Sequence, residues 1–427
     1  MDKDCSRSQL ICGVAGCIFL GLLAARLQLL ASPGIPLGKG FEMVAIAREL
    51  AASGNYANPF EVMPTGPTAV NPPLYPLFLA GLLRLFGDIP NFKVSAVVIT
   101  VLVHGIHFGL LPLVSRQAIG RLAPGVWAAI VGIVLPVVPL MPQWDAVYTA
   151  AGLMILCACS ARFPERMDNW RPVLSGTLLG LLILLNPLAG IVGAAWIVVF
   201  LGRKHVLQIR FLRFLGVAAL TAGVVFVPWA LRNWRTLGSP VLRTNLGMTL
   251  YASNNSCAHS SMAITHASGC FDVYHPNGSL AESLKLVSMG EVAYDRFRTE
   301  STLGWIKQNP DRFVQLTARR VFEFWFPDTL KEPVSAYGVW ICTALSIPGL
   351  ALLWKRQALM ARFVLATFCL FPVPYYIVVS DLRYRVPILW MTLLCAGYVA
   401  AELSSRVFKL WKPTSSLGDH PKLANDD

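Results

Sequence analysis

The chain has 427 residues, 55% of them hydrophobic and only 14% charged, with a net charge of +13. So few charges, at a mean hydropathy of +0.57, exclude an ordinary soluble domain, in which about a quarter of residues are charged, and predict a polytopic membrane protein. The Lys and Arg residues mark loop ends instead of forming one stripe, which argues against a nucleic-acid partner and for cytoplasmic anchoring in a lipid bilayer.

Residues 10–31 are apolar for too long to be a signal core, and they read as a retained first helix with a cytoplasmic N-terminus. Arg26 within it snorkels or faces the interior. A short helix carrying Glu42 follows, then a Pro-rich turn and a second helix over 74–87, too short to cross and expected along the outer surface. The span 91–114 ends at Arg116 and Arg121, on the cytoplasmic side. Residues 127–141 return outward, and 146–161 come back to a basic loop with Arg162, Arg166 and Arg171. The apolar stretch 172–202 is basic at both ends, so it needs an even number of crossings. A hairpin with Asn186-Pro187 at its outer tip satisfies that. Residues 211–231 cross outward.

The segment 232–334 is polar and turn-rich and belongs outside the cytoplasm. Within it, 291–313 read as helix, turn, helix, with Asn309 as cap and Pro310 opening the second helix. Three spans complete the chain at 337–354, 362–379 and 386–401. The fold class is therefore all-α: about ten transmembrane helices with a small extracytoplasmic domain. The chain divides into an N-terminal membrane module (1–231) with its first external loop at 33–90, the extracytoplasmic segment 232–334, C-terminal membrane helices (335–412) and a polar, disordered cytoplasmic tail (413–427).

This orientation places the Glu42 loop, the Gln143-Trp144-Asp145 turn and the Arg383-Tyr384-Arg385 turn on one external face. Glu42 and Glu49 share a helix face, while Met43, Ala47 and Leu50 lie a quarter-turn away and are expected on the membrane surface. A carboxylate at that boundary can take a proton from an acceptor hydroxyl, and partial burial would raise its pKa. The plainer reading is a solvated glutamate, and Glu49 is the alternative carboxylate. Trp229 and Trp234 read as interfacial anchors. His104 and His107 share a helix face without a third ligand and read as inward packing; His259, His266 and His275 are loosely spaced. Nucleophilic triads and phosphate-binding glycine loops are absent. Ten cysteines form no Cys-x-x-Cys pair. Cys257 and Cys270 alone fall in the external polar segment, where cysteine is not apolar filler, and a disulfide between them is expected on an oxidising side.

GFEMVAIARELAASGNYANPF followed by TGPTAVNPPLYPLFLAGLLRLFG resembles the first external loop of the GT-C glycosyltransferases, as does SDLRYRVP before the last helix and VPWALRNWRTLGSPV at 227–241. Among them the likeness is to bacterial relatives of dolichyl-phosphate-mannose–protein mannosyltransferase and of the lipid A aminoarabinose transferase. It is strongest over 41–87. The resemblance implies an enzyme of the plasma (inner) membrane, its active site on the extracytoplasmic face. It would move a sugar from a polyprenyl phosphate to a lipid, glycan or protein acceptor, with inversion. It gives Glu42 the place of the loop carboxylate, where many relatives have Asp, with Asp145 as supporting acid. Arg383 and Arg385 become phosphate clamps, and Arg232 also faces the donor; a guanidinium suits this because its planar fork meets phosphate oxygens in pairs. Some GT-C enzymes use a divalent metal ion beside the carboxylate and others do not. The competing readings are a transporter or flippase for a lipid-linked intermediate and a non-catalytic scaffold. Transporters usually carry internal repeats and mid-membrane ionisable groups, and neither is clear here.

Overall fold

A computed structural model describes residues 42–87, 91–134, 144–161, 170–201, 209–329, 333–356 and 358–411, with scattered positions within 16–23. The predicted first span with Arg26, Gln143, Arg162, Arg166 and the tail 413–427 lie outside the described residues. Those described are helical, with no strand among them; two isolated bridges, Ala57 to Pro67 and Ser261 to Ser380, are the only extended pairings.

The first described helix, α1 (Glu42–Ser53), packs on α2 (Leu74–Phe86), and α2 leans on α3 (Asn91–Ile119). Met43 and Ala47 are buried against Tyr75 and Leu79 of α2, so they do not rest on a membrane surface as expected. The neighbouring helix supplies apolar surface that lipid would otherwise provide. Arg84 of α2 donates to the last carbonyls of α1, Leu50 O at 3.0 Å and Ala51 O at 3.3 Å, which satisfies acceptors the helix cannot use itself. Gly87, at φ 75°, ends α2.

Next come α4 (Ala123–Val134), α5 (Ala146–Ala161), α6 (Trp170–Leu185), α7 (Pro187–Leu201) and α8 (Ile209–Leu237). The break between α6 and α7 falls at Asn186, as the Asn-Pro pair predicts. Its Oδ1 accepts from Leu188 N at 3.2 Å and Ala189 N at 3.4 Å, capping α7. Helices α6 and α8 approach through Gly176 and Gly180. A Cβ at Gly176 would strike the Ala218 carbonyl, and one at Gly180 would come within 2.6 Å of Val225 Cβ. Small residues four apart let two helix backbones touch.

The segment expected to be turn-rich is instead mostly helical: α9 (Leu246–Ser253), α10 (Met262–Ala267), α11 (Cys270–Tyr274), α12 (Leu280–Met289), α13 (Glu291–Gln308) and α14 (Pro310–Trp325). Ser279 caps α12 by accepting from Glu282 N. Pro310 opens α14 as predicted, but Asn309 caps nothing with its side chain; its Nδ2 turns back to Trp305 O at 3.0 Å.

The chain closes with α15 (Pro333–Lys355), α16 (Leu359–Leu370), α17 (Val373–Ile377), a 3-10 turn at Leu382–Tyr384 and α18 (Val386–Trp411). Among the described residues five helical stretches are long and apolar enough to cross a bilayer: Val94–Ile119, Phe211–Leu237, Pro333–Lys355, Leu359–Ile377 and Val386–Val407. Helices α2, α4, α5, α6 and α7 are apolar but shorter. The apolar window of α18 is 78% buried and that of α8 only 22%, so α18 is the bundle's axis and α8 its flank.

Candidate active site

The loop after α1 is pinned from outside. Arg232, at the end of α8, donates to Tyr56 O and Thr68 O at 2.7 Å each and to Asn233 Oδ1 at 2.9 Å. Its guanidinium also lies 5.1 Å from the Trp229 ring centre. These contacts make Arg232 a strut for the loop. Glu291 accepts from Ala69 N at 2.6 Å and from the Thr244 hydroxyl, tying the same loop to α13. Asn58 holds the turn together in the left-handed region (φ 52°), accepting from Gly66 N at 2.9 Å.

So fixed, Glu42 begins α1 as a buried carboxylate. Burial raises its pKa above the ordinary 4.5; its backbone N–H, Arg383 and Arg243 pull it down, and Glu61 adds a like charge. His275 Nε2 stands 3.9 Å from Glu42 Oε1. The imidazole tautomer follows from its other nitrogen: Nδ1 accepts from Asn277 N at 3.1 Å, so the proton sits on Nε2, facing the carboxylate. Burial, with His266 and Arg383 adding to it, pushes His275 down to about 3. Its ring is stacked on Phe271, with centres 4.4 Å apart.

Asp145 stands just before α5. Its Oδ2 accepts from Thr149 Oγ1 at 3.0 Å and Asn186 Nδ2 at 3.3 Å. Burial raises its pKa, while Thr149, Arg243 and Asn186 oppose the rise. Glu42 and Asp145 thus both feel the Arg243 guanidinium. Arg243 is exposed, and it is anchored to Val70 O at 2.9 Å and Asn71 Oδ1 at 3.4 Å.

The two predicted clamps separate. Arg383 lies over the Trp144 ring at 3.7 Å, donates to Tyr384 Oη at 3.1 Å and stands 3.9 Å from Asp381. Arg385 is buried elsewhere: it lies 4.0 Å over Trp325 and donates to Thr392 Oγ1 at 2.9 Å, with Nε and Nη1 unpartnered. Positions two apart on a helical turn do not face one another, and the two guanidinium groups accordingly meet different neighbours. Glu49, the alternative carboxylate, accepts from Ser53 Oγ at 2.7 Å and Asn58 Nδ2 at 3.1 Å, contacts that hold its pKa below the ordinary range. Through Asn58 it braces the loop. Sequence reasoning missed Arg243 and His275 as site residues. Arg243 sits just beyond the VPWALRNWRTLGSPV region but carries no motif, and His275 looked like one of three scattered histidines.

Among the described residues no three His, Cys, Asp or Glu side chains form a metal-ligand set. Arg383 and Arg243 act electrostatically on Glu42, and a divalent cation beside that carboxylate would meet their like charge. The residues present do not fit a metal, and no step is derived through one. The arrangement offers a buried base beside cations suited to a phosphate. His104 and His107 pack inward around Phe108, as expected.

The fold is shared with an oligosaccharyltransferase from Archaeoglobus fulgidus. Its apo structure aligns over 96% of this chain with a TM-score of 0.54 at 12% identity. A second structure of that enzyme, in complex with Zn and sulfate, aligns over 92% with a TM-score of 0.52 at 14% identity. The chain spans about half the length of these structures, 53% and 49%. No protein-family model and no curated protein matches it.

Proposed function

We propose that the protein is a GT-C-type membrane glycosyltransferase that moves a sugar from a polyprenyl phosphate to an extracytoplasmic acceptor. The observation that carries this reading is Glu42: a buried carboxylate facing the Nε2–H of a neutral His275, with Arg243 and Arg383 acting on it. The oligosaccharyltransferase fold, of the GT-C type, supports it independently.

In the proposed reaction Glu42 takes the proton of an acceptor hydroxyl. The freed oxygen lone pair forms the new bond to the anomeric carbon from the side opposite the phosphate. The bond from that carbon to the phosphate oxygen breaks, its electron pair leaves with the phosphate, and the configuration inverts. Arg243 and Arg383 meet the phosphate as its charge develops. His275 positions Glu42 through its Nε2–H, and Asp145, held by Thr149 and Asn186, sets the orientation of Arg243. The test is transfer by purified full-length protein from a panel of polyprenyl-phosphate sugars. Native protein is expected to turn over at least one donor, and Glu42→Gln to lose about 100-fold or more of that activity while still binding it, the scale of a general base. Full activity in Glu42→Gln would overturn the assignment.

A further inference from the structure

Apart from the Glu42 site, a pocket of about 290 Å³ lies between α9, the end of α11 and α13. One wall is a single face of α13: Ser301, Gly304, Trp305 and Gln308, at spacings of three and four that bring side chains into line. Tyr251 and Tyr274 stand opposite, their ring centres 5.2 Å apart. Gly304 forms an open floor, because a Cβ there would meet nothing within 4 Å. No Lys, Arg, Asp or Glu lines the pocket. Arg298, 4.0 Å from the Tyr251 ring centre, is ion-paired with Glu282. Ser256, Tyr274, Trp305 and Gln308 spend no side-chain hydrogen-bonding group on other described residues.

We propose that this pocket binds a neutral saccharide, one or two rings long, as a subsite beside the catalytic carboxylate. Its chemistry selects that ligand. Aromatic rings offer flat apolar faces to the C–H side of a pyranose, while a hydroxyl, an amide and an indole N–H remain to meet its hydroxyls. An uncharged lining gives an anion or a cation nothing to pair with, and the volume lies at the lower end of small-molecule sites, about 300 Å³ upward. The pocket's place in the chain ties it to the reaction. Tyr274, which lines it, immediately precedes His275, whose Nε2 faces Glu42. The bound rings belong either to a glycan acceptor or to the outer sugars of a lipid-linked donor.

The choice of saccharide rests on the transferase reading, so binding and transfer are read separately. Full-length protein in nanodiscs is titrated with glucose, mannose, galactose, N-acetylglucosamine and their dimers, alongside a neutral hexapeptide, by saturation-transfer NMR. At least one saccharide is expected to bind native protein, Gly304→Ala and Glu42→Gln alike, and to bind Gly304→Leu and Trp305→Ala tenfold or more weakly. The side chain introduced by Gly304→Leu projects into open space at a helical site, so a folded protein with a filled pocket is the expected product; Trp305→Ala empties the pocket instead. Absence of saccharide binding to native protein, binding by both pocket variants equal to that of native protein, or tighter binding of the peptide would overturn the proposal. In the transfer assay a raised KM for the acceptor in Gly304→Leu assigns the rings to the acceptor, and a raised KM for the donor assigns them to the donor glycan. Saccharide binding that follows the pocket variants while Glu42→Gln keeps full turnover would sink the transferase mechanism and leave the subsite standing.

Discussion

Glu42 and Arg385 illustrate opposite outcomes of burying an ionisable group. Glu42 is desolvated but feels two guanidinium groups and has His275 Nε2 at 3.9 Å, which suits it to the proposed role of base. Only the ionised form can accept the acceptor proton. Burial raises the pKa above 4.5, so kcat/KM is expected to fall on the acid side along a limb lying above that value. His275, at about 3, titrates below it and contributes no limb there. The same shift has a stability sign. A carboxyl with a raised folded-state pKa adds stability below its unfolded value and loses it as pH rises through the folded one. Ionised Glu42 therefore costs stability at neutral pH, and Glu42→Gln is expected to melt no lower than native protein. A pH–rate profile flat down to pH 4.5 would remove Glu42 from the base role. Arg385 has two unpartnered nitrogens among rings. Replacing a buried unpaired charge with an apolar side chain of similar volume is often neutral or stabilising. Arg385→Met is expected to leave the donor KM within about threefold, whereas Arg383→Gln and Arg243→Gln each raise it about 10-fold to 100-fold, the scale of one charged hydrogen bond. Equal effects at all three positions would restore Arg385 to the clamp.

At the scale of elements, the site depends on how short segments are tied down. The disulfide joins Cys257 to Cys270, with Cα atoms 5.9 Å apart, and Cys270 opens α11, which leads directly to His275. Closing a loop of this size stabilises by roughly 3 kcal/mol in the chain-entropy model. Cys257→Ser with Cys270→Ser is therefore expected to lower Tm by several degrees and to weaken turnover through a mobile His275, as read by melting with and without reductant. A double variant that melts with native protein, or two alkylatable thiols in folded protein, would refute this. The loop between α1 and α2 is fastened differently, by Arg232, Arg243 and Glu291 to backbone groups. Buried backbone polar groups need partners, and a loop without a ladder takes them from side chains far along the chain.

Across the whole molecule, Glu42, Asp145, Arg243, His275 and Arg383 come from separate parts of the sequence and meet at one end of an all-helical bundle. Hydrogen bonds lock that end: Ser380 N donates to Ser260 O at 2.6 Å, and Arg320 donates to Asn254 Oδ1 at 2.9 Å and Ile377 O at 3.1 Å. If that end faces outward, the exposed residue Ser288, changed to Cys, is expected to react with an impermeant maleimide added outside intact cells. Lys355→Cys is expected to react only after permeabilisation. The reverse pattern would invert the topology and place the site in the cytoplasm.

Composition and charge by themselves determined a helical membrane protein, the Asn186 break, the short helix α2 and the two paired cysteines, because each depends on local chemistry: apolar length, proline, or cysteine in a polar setting. Motifs also singled out Glu42, Asp145 and Arg383 as candidates, whose roles are proposals. Only the tertiary structure decided that Arg385 packs over Trp325, that Arg232 holds the loop after α1, that Glu49 accepts from Ser53 and Asn58, that Met43 and Ala47 meet α2, and that His275 stands beside Glu42. Those outcomes turn on which side chains meet across long sequence distances. Residues two apart in one turn can end in different environments, and a histidine without a motif becomes a neighbour of the base only when the chain after α11 folds back over α1.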